Sequence, residues 1–241
     1  MMSGTTRNVT VFLQEYVVEK SIKLKRDMAA LFFRKPSELL DMLNNHARLN
    51  AWLKRNPAPV FDDRFALYDH VQATEIGDRA IDYLEFGVHR GESFRRWMEI
   101  NSNPESRFVG FDTFTGLPTD WGKYLQRGHF DTGGQTPTVA DPRGSFMAGL
   151  FQETLPGFLA AFAGGKPLVV HNDSDLYSST HYTLAMLNDL MVPGTIIIFD
   201  EFASPMHEFR AWNDYTDAFM RKATLIGSAG PYAEQAAFRF D

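Results

Sequence analysis

The sequence predicts an α/β fold, with a doubly wound, mostly parallel sheet of seven strands and an N-terminal helical extension. Three observations predict it. Short apolar runs alternate with segments of helical periodicity, as in strands joined by crossover helices. Several of these runs end directly in Gly or an acidic residue. The first part of the chain shows only helical spacing and ends at a proline-rich break, so we predict two domains, residues 1–60 and 61–241.

The N-terminal extension is predicted from two apolar series at helical spacing, 17–33 and 39–52. Residues 1–56 hold ten Lys and Arg against five Asp and Glu, a formal +5, which leaves −11 for the rest of the chain with its net charge of −6. Several interpretations stay open for this segment. The segment could present a solvated helical face or pack against the acidic body of the chain. It could also bind anionic lipid, RNA or an acidic partner, or form the interface of a homodimer or higher homo-oligomer.

The body is predicted to begin with a helix over 64–72 and to alternate from there. We predict strands over 80–85, 107–112, 167–172, 195–200, 224–228 and 236–240, and helices over 94–100, 155–163, 180–191 and 208–222. A short Gly-Pro turn separates the last two strands, which predicts that they are antiparallel. Residues 113–148 are rich in Gly, Pro and Thr and are predicted to form a long loop, a usual place for a lid or binding element.

Composition excludes several classes of protein. Hydrophobic residues make up 44% and charged residues 22%, which indicates a globular chain. There is no cysteine, so disulfides, thiolate metal sites and cysteine nucleophiles are excluded. The net charge of −6 argues against nucleic acid as the main partner. The apolar runs are too short to cross a membrane and no signal peptide is evident, so we expect a cytoplasmic protein without a membrane partner.

The first two predicted strands of the body end in residues suited to a nucleoside ligand. One ends in Glu85 and runs through Gly87 and Gly91, where glycine permits a sharp turn and close approach of a ligand. An acid at this point suits a ligand with a positive group, such as an amino acid. Asp112 ends the next strand, where an acid can hold a ribose. The alternative for the glycine-containing segment is an ordinary turn between a strand and a helix, and the alternative for Asp112 is that its side chain caps a turn.

Four acids follow the next two strands. Asp173 and Asp175 come after the strand that ends at Asn172, and an apolar run leads straight into Asp200 and Glu201. If these strands are neighbours, the carboxylates converge and repel one another unless a cation or proton intervenes. Hard oxygen ligands suit Mg²⁺, Ca²⁺ or Mn²⁺. The alternative is that one pair caps a helix and the other is solvated; His171 is expected to have a structural role.

Taken together, these segments resemble class I S-adenosylmethionine-dependent methyltransferases, and more narrowly the macrocin O-methyltransferase (TylF-like) group, which methylates sugar hydroxyls of natural products. The resemblance rests on five segments in the same order, 85–91, 111–118, 149–156, 173–180 and 194–201. It implies a Rossmann-like methyltransferase fold. Two departures stand out, because this chain has Glu201 where the family usually has Asp and Ser174 where the family usually has Gly.

The resemblance also implies roles for single residues. S-adenosyl-L-methionine would be bound by Glu85, Gly87, Gly91, Ser93, Asp112 and Phe151. A divalent cation, most simply Mg²⁺, would be bound by Asp173, Asp200 and Glu201. Asp175 would be the general base that takes a proton from the acceptor hydroxyl.

The predicted function is therefore an S-adenosylmethionine-dependent, metal-assisted O-methyltransferase acting on a hydroxyl of a small molecule. Trp121, Tyr124, His129 and Phe130, within the long loop, are candidates to cover the acceptor ring. The alternative function is a non-catalytic protein that binds S-adenosylmethionine. A nicotinamide-dependent oxidoreductase is disfavoured by the missing third glycine, and a metal-dependent hydrolase would leave Glu85, Gly91 and Asp112 without a common purpose.

Overall fold

The computed structural model describes residues 16–29, 37–121 and 125–241. The chain divides into two compact units between Leu43 and Asn44. The first contains helix α1, residues 16–29, and the start of helix α2, Glu38–Arg55. The division lies inside α2, earlier than the predicted boundary after residue 60. The reason is that Leu49 is buried in the core of the second unit.

The second unit holds a mixed sheet and the helices that cover it. Its strands are β1 (Val60–Phe61), β2 (Asp82–Phe86), β3 (Arg107–Asp112), β4 (Gly144–Ala148), β5 (Leu168–Asn172), β6 (Ile196–Phe199), β7 (Ala223–Ala229) and β8 (Gln235–Phe240). Its helices are the rest of α2, then α3 (Arg64–Val71), α4 (Glu92–Ile100), α5 (Phe151–Ala161), α6 (Tyr177–Met186) and α7 (Glu208–Ala218). A short π-helical turn, Gln72–Ile76, extends α3, and a 3₁₀ turn, Asn188–Leu190, follows α6.

The strand order is β1-β7-β8-β6-β5-β2-β3-β4. Strand β8 runs antiparallel to its neighbours β6 and β7, and the other pairs are parallel. The predicted mostly parallel, doubly wound sheet and the antiparallel final pair are confirmed. The described sheet has eight strands instead of the predicted seven, of which the sequence located six. The six predicted strands are present, and the strands missed are β1, which has two residues, and β4, within the predicted loop.

The sheet is covered on both faces. Strands β2, β5 and β6 are buried throughout, as expected where helices lie on either side of a parallel sheet. Along β2, Leu84 and Phe86 belong to one core cluster and Tyr83 to the other, because successive side chains of a strand point to opposite faces. Among the helices described, none combines the length and the hydropathy that crossing a membrane requires.

Candidate active site

A cavity of about 540 Å³ lies beyond the carboxyl ends of the central strands. Strands β2 and β5 are neighbours there, and the chain proceeds in opposite directions from them, so the cavity stands at the switch point of the sheet. Its lining includes Arg64, Gly87, His89, Asp112, Thr113, Leu117, Pro118, Trp121, Phe130, Phe151, Asp173, Asp175, Ser178, Ser179, Asp200 and Glu201. Both halves of the predicted site therefore face one cavity.

The loop between β2 and α4 begins at Gly87, whose φ is 89°. A Cβ atom there would stand 1.7 Å from the backbone oxygen of Asp173. Glycine is therefore required by contact with the neighbouring loop as well as by its backbone conformation. Gly91, with φ of 73°, is the residue before α4 and lies close to Pro137.

Glu85 does not reach the cavity. Its side chain is fully buried, accepts hydrogen bonds from the hydroxyls of Tyr83 and Ser93, and has no place in the cavity lining. Gly91 and Ser93 are also absent from the lining, whereas Gly87, Asp112 and Phe151 belong to it. The structure thus brings three of the six predicted cofactor residues to the cavity, and Glu85 and Ser93 lie behind it.

Asp112, at the end of β3, fixes the glycine-containing loop. One carboxylate oxygen accepts hydrogen bonds from the backbone N–H groups of Val88 (2.8 Å) and His89 (2.7 Å). The other accepts from the N–H of Phe114 at 2.8 Å, the turn-capping role considered above. Because each oxygen has two lone pairs and the side chain lines the cavity, Asp112 can hold the loop and still accept from a ligand hydroxyl.

The predicted acidic edge is present, since β5 and β6 are neighbouring parallel strands. Asp173, Asp175, Asp200 and Glu201 all line the cavity. Burial, together with the nearby carboxylates, raises the pKa of Asp175 to about 7 and that of Glu201 to about 7, and it raises the pKa of Asp173 as well. Asp175 has a left-handed backbone with φ of 60°, a conformation uncommon for a non-glycine residue.

Asp200 is different because positive groups surround it. Burial would raise the pKa of Asp200, but His171, Arg64 and the Tyr68 hydroxyl keep that pKa below its usual range. The Tyr68 hydroxyl donates to Oδ1 at 3.1 Å, and Nη1 of Arg64 donates to Oδ2 at 3.3 Å. Arg64 also forms a close ion pair with Glu92.

These observations test the predicted metal site. Within the described ranges, no group of three Asp, Glu or His side chains is arranged to hold a metal ion. Both oxygens of Asp200 already accept hydrogen bonds, and a guanidinium supplies the positive charge beside it. The predicted ligands Asp173, Asp200 and Glu201 share the cavity wall but, as arranged here, do not fit a metal.

A family model described as a methyltransferase domain matches residues 84–202 of the chain. The match runs from β2 past β6 and so contains the glycine loop, Asp112 and all four carboxylates of the acidic edge. This chain contains a methyltransferase domain and is an enzyme. A comparison with curated protein sequences finds no match.

Solved structures show the same fold in this methyltransferase. CalS11, a calicheamicin methyltransferase, is 23% identical over 85% of this chain and 94% of its own, with a TM-score of 0.55. The O-methyltransferase NovP is 21% identical over 73% of this chain and 78% of its own, with a TM-score of 0.53. An O-methyltransferase from Bacillus cereus, in complex with SAH, is 15% identical over 90% of this chain and 96% of its own, with a TM-score of 0.51. The fold is the Rossmann-like fold of the class I, S-adenosylmethionine-dependent enzymes.

The loop of the methyltransferase over 113–148 forms one wall of the cavity. Leu117, Pro118, Trp121 and Phe130 line it, and the ring of Phe130 packs edge-on against His129 (4.4 Å between centroids). Tyr124, also predicted to cover the acceptor, lies outside the described residues. The loop ends in β4, which pairs with β3 in parallel.

Several residues of the site escaped the sequence analysis. Arg64 reaches the cavity from α3, far from any motif. Glu208 is fully buried at the start of α7, accepts from Asn172 at 2.7 Å and from the N–H of Glu201 at 2.9 Å, and has a pKa raised well above its usual range by burial. Tyr68 and Tyr83 flank His171. No local signal distinguishes these residues, because their partners are distant in sequence.

Proposed function

We propose that this methyltransferase transfers the methyl group of S-adenosylmethionine to a hydroxyl group of a small molecule of sugar or natural-product type, as the macrocin O-methyltransferase group does. The observation that carries the proposal is the single cavity lined by Asp112 and Phe151 at the ends of β3 and α5 and by Asp175 and Glu201 beyond β5 and β6. The residues proposed to bind the donor and to accept the proton thus line one cavity.

The donor half is supported by its backbone geometry. Gly87 lines the cavity, and its missing side chain lets the loop pack against the backbone of Asp173. The remaining lone pair of Asp112 would accept a hydrogen bond from a ribose hydroxyl. Phe151 would pack against the adenine ring. Glu85 and Ser93 would act from behind the cavity by holding the loop. When bound, S-adenosylmethionine supplies an electrophilic methyl group on a sulfonium sulfur.

Asp175 is the proposed general base. Its carboxylate would take the proton of the acceptor hydroxyl while the oxygen bonds to the methyl carbon and the carbon–sulfur bond breaks, which leaves neutral S-adenosylhomocysteine. A base is most effective when its pKa lies near the working pH, and burial raises the pKa of Asp175 to about 7. Holding the acceptor oxygen in line with the methyl group contributes much of the remaining acceleration.

A divalent cation stays a prediction of the family resemblance, and no step of this mechanism passes through it. The described side chains are not arranged to bind the ion, since Arg64 already donates a hydrogen bond to the carboxylate of Asp200. A calorimetric titration of the EDTA-treated protein with Mg²⁺ tests the point. Binding that disappears in Asp173→Asn would restore the metal to the site and require Arg64 to leave Asp200.

The acceptor half favours a neutral or cationic acceptor rich in hydroxyl groups. Four acidic side chains and one guanidinium leave this half without the excess of positive charge that an anionic acceptor needs, and carboxylate oxygens accept hydrogen bonds from hydroxyls. Ser178 and Ser179 add hydroxyls to the lining, and Trp121 and Phe130 offer ring faces to a sugar or an aromatic acceptor. The description of CalS11 as a calicheamicin methyltransferase is consistent with a natural-product acceptor.

The first experiment is a calorimetric titration of the EDTA-treated full chain with S-adenosylhomocysteine. We expect micromolar binding that Asp112→Ala weakens. Protein that binds is then incubated with methyl-labelled S-adenosylmethionine and a panel of glycosides and phenols. Transfer of label supports the proposal, whereas binding without transfer to any of them favours the non-catalytic alternative. Absence of binding contradicts both.

We also propose that two or more copies associate through the N-terminal helices. In the first unit, Ile22 and Leu24 of α1 and Leu39 and Leu43 of α2 are each about half exposed. Leu39 and Leu43 are four residues apart and so share one face of their helix, which offers an apolar surface to a second copy. Light scattering of the full chain and of a Leu39→Glu/Leu43→Glu variant tests this. A wild-type monomer contradicts it, and a variant that dissociates supports it.

A further inference from the structure

A chain of buried hydrogen bonds joins Glu85 to Asp200 through His171. Glu85 and His171 are register partners on β2 and β5. Nδ1 of His171 lies 2.8 Å from the hydroxyl of Tyr83, which donates to Glu85. Nε2 lies 3.3 Å from the hydroxyl of Tyr68, which donates to Asp200. Glu85, His171 and both tyrosines are fully buried, and Asp200 is 6% exposed.

With both carboxylates ionised, counting protons gives the directions of these hydrogen bonds. A tyrosine hydroxyl has one proton to donate, and an ionised carboxylate can only accept. If Tyr83 and Tyr68 each give their proton to a carboxylate, neither has one left for His171. Both ring nitrogens of His171 must then donate, which requires the doubly protonated, positively charged ring.

Charge balance supports the same arrangement. Two ionised carboxylates in the interior are costly unless a positive group compensates them. A charged His171 stands between them, with Nδ1 at 3.7 Å from Glu85 and Nε2 at 3.8 Å from Asp200.

We propose that Tyr68, His171 and Tyr83 are positioning residues, a bridge in which His171 donates both ring N–H groups and thereby fixes the carboxylates of Asp200 and Glu85. The bridge places Asp200 at the acceptor end of the cavity and Glu85 behind the loop expected to hold the cofactor, each in one orientation. Its relevance to methyl transfer rests on the proposed function.

The bridge also explains why Asp200 and Asp175 would differ in their capacity to take up a proton. Asp200 has a fixed hydrogen-bond donor on each oxygen, so it is a poor candidate to take up a proton. Asp175 lines the same cavity and has no donor among the described side chains. The bridge contacts Asp200 and not Asp175, so Asp200 would be the fixed charge and Asp175 the base.

The test is nuclear magnetic resonance of the full chain labelled with ¹⁵N-histidine and [4-¹³C]aspartate, with resonances assigned from His171→Gln and Asp200→Asn. We expect two N–H signals from the His171 ring. Tyr68→Phe should move the Nε2–H signal upfield, shift the Asp200 carboxyl carbon, and leave the Nδ1–H signal in place. Tyr83→Phe should move the Nδ1–H signal upfield and leave the Nε2–H signal in place.

Tyr215→Phe is the matched control, because it removes another buried hydroxyl, bonded to the neutral Asn188 at 3.2 Å. It should move none of these signals, and shifts as large as those of Tyr68→Phe would indicate general structural disturbance and contradict the proposal. If either ring nitrogen of His171 lacked a proton in the wild type, the bridge would be overturned. A protonated Glu85 is one arrangement that would give this result. These spectra need neither donor nor acceptor. A wild-type chain that fails to bind S-adenosylhomocysteine would therefore overturn the proposed function and leave the bridge intact.

Discussion

Gly87 and Asp173 are in direct backbone contact: a Cβ atom on Gly87 would stand 1.7 Å from the backbone oxygen of Asp173. The loop expected to hold the donor and the loop that begins the acidic edge are therefore packed against each other. Asp173 N–H also donates to the carbonyl of Phe86 at 2.8 Å, which extends the β2–β5 pairing to this point. The two halves of the cavity cannot shift independently here.

We expect Gly87→Ala to lower the free energy of unfolding by about 3 kcal/mol, since overpacking and a positive φ each cost roughly 1–3 kcal/mol. Chemical denaturation measures it. The control is Gly194→Ala, because Gly194 has nearly the same φ, 90°, with no atom within 4 Å of the added Cβ. Equal losses in the two variants would mean that the contact with Asp173 is unimportant.

Asp175→Asn should retain S-adenosylhomocysteine binding and lose turnover by about a hundredfold or more, the usual contribution of a general base. The reason is that an amide of the same shape cannot accept the proton. Calorimetry and turnover with an acceptor found in the panel measure the two effects. Asp189→Asn, in the 3₁₀ turn after α6 and outside the cavity lining, is the control. Full turnover in Asp175→Asn would assign the base elsewhere.

Much of the fold followed from the sequence, because buried parallel strands are apolar runs with clear ends. The run that became β6, for example, is apolar throughout and stops at Asp200. Strand β4 was missed because it is short, half exposed and set in a segment rich in Gly and Pro. The acidic edge was predictable because its four acids follow two neighbouring strands directly.

The connections beneath the cavity were not predictable, because they join residues far apart in the chain. Tyr68 lies on α3, and its hydroxyl contacts Asp200, 132 positions later. In the sequence, Tyr68 is one of several apolar or aromatic residues of a short helix, and any of them could be a core residue. Glu85 was predicted to touch the donor from its position after an apolar run, and its burial depends on Tyr83 and Ser93 beside it.

Arg64→Gln should increase affinity for divalent cations by about tenfold or more, because removing one positive charge beside Asp200 changes the interaction with a cation by roughly 1–4 kcal/mol in a partly solvated site, and 1.4 kcal/mol is a factor of ten. Calorimetric titration with Mn²⁺ measures it. Arg239→Gln breaks another arginine–carboxylate pair, with Glu75 at 3.0 Å, and should have no such effect. Unchanged Mn²⁺ affinity in Arg64→Gln would show that Arg64 does not compete with a cation.

Trp121→Ala should raise the KM for the acceptor by about tenfold and change S-adenosylhomocysteine affinity little. Trp121 lines the cavity on the wall formed by the long loop, and loss of a ring contact costs roughly 1 kcal/mol beyond the lost burial. Steady-state kinetics with a panel acceptor measures it. Tyr232→Ala, at an exposed aromatic outside the cavity lining, is the control. Weaker binding of S-adenosylhomocysteine with an unchanged KM for the acceptor would place Trp121 in the donor half of the cavity.

Arg143→Ala should lower the free energy of unfolding by about 3 kcal/mol, because this half-buried arginine closes the long loop onto the end of α4. Its guanidinium donates to the backbone carbonyls of Met98 (2.8 Å), Asn101 (2.6 Å) and Asn103 (3.0 Å). Hydrogen bonds to charged groups contribute about 1.5–3 kcal/mol each to stability, and water that enters the space left by the side chain can satisfy part of the carbonyls. Asp141→Asn separates this effect from the ion pair with Asp141, which is partly exposed and should cost under about 1 kcal/mol. If denaturation showed the two variants equally destabilised, the ion pair and not the carbonyl contacts would hold the loop.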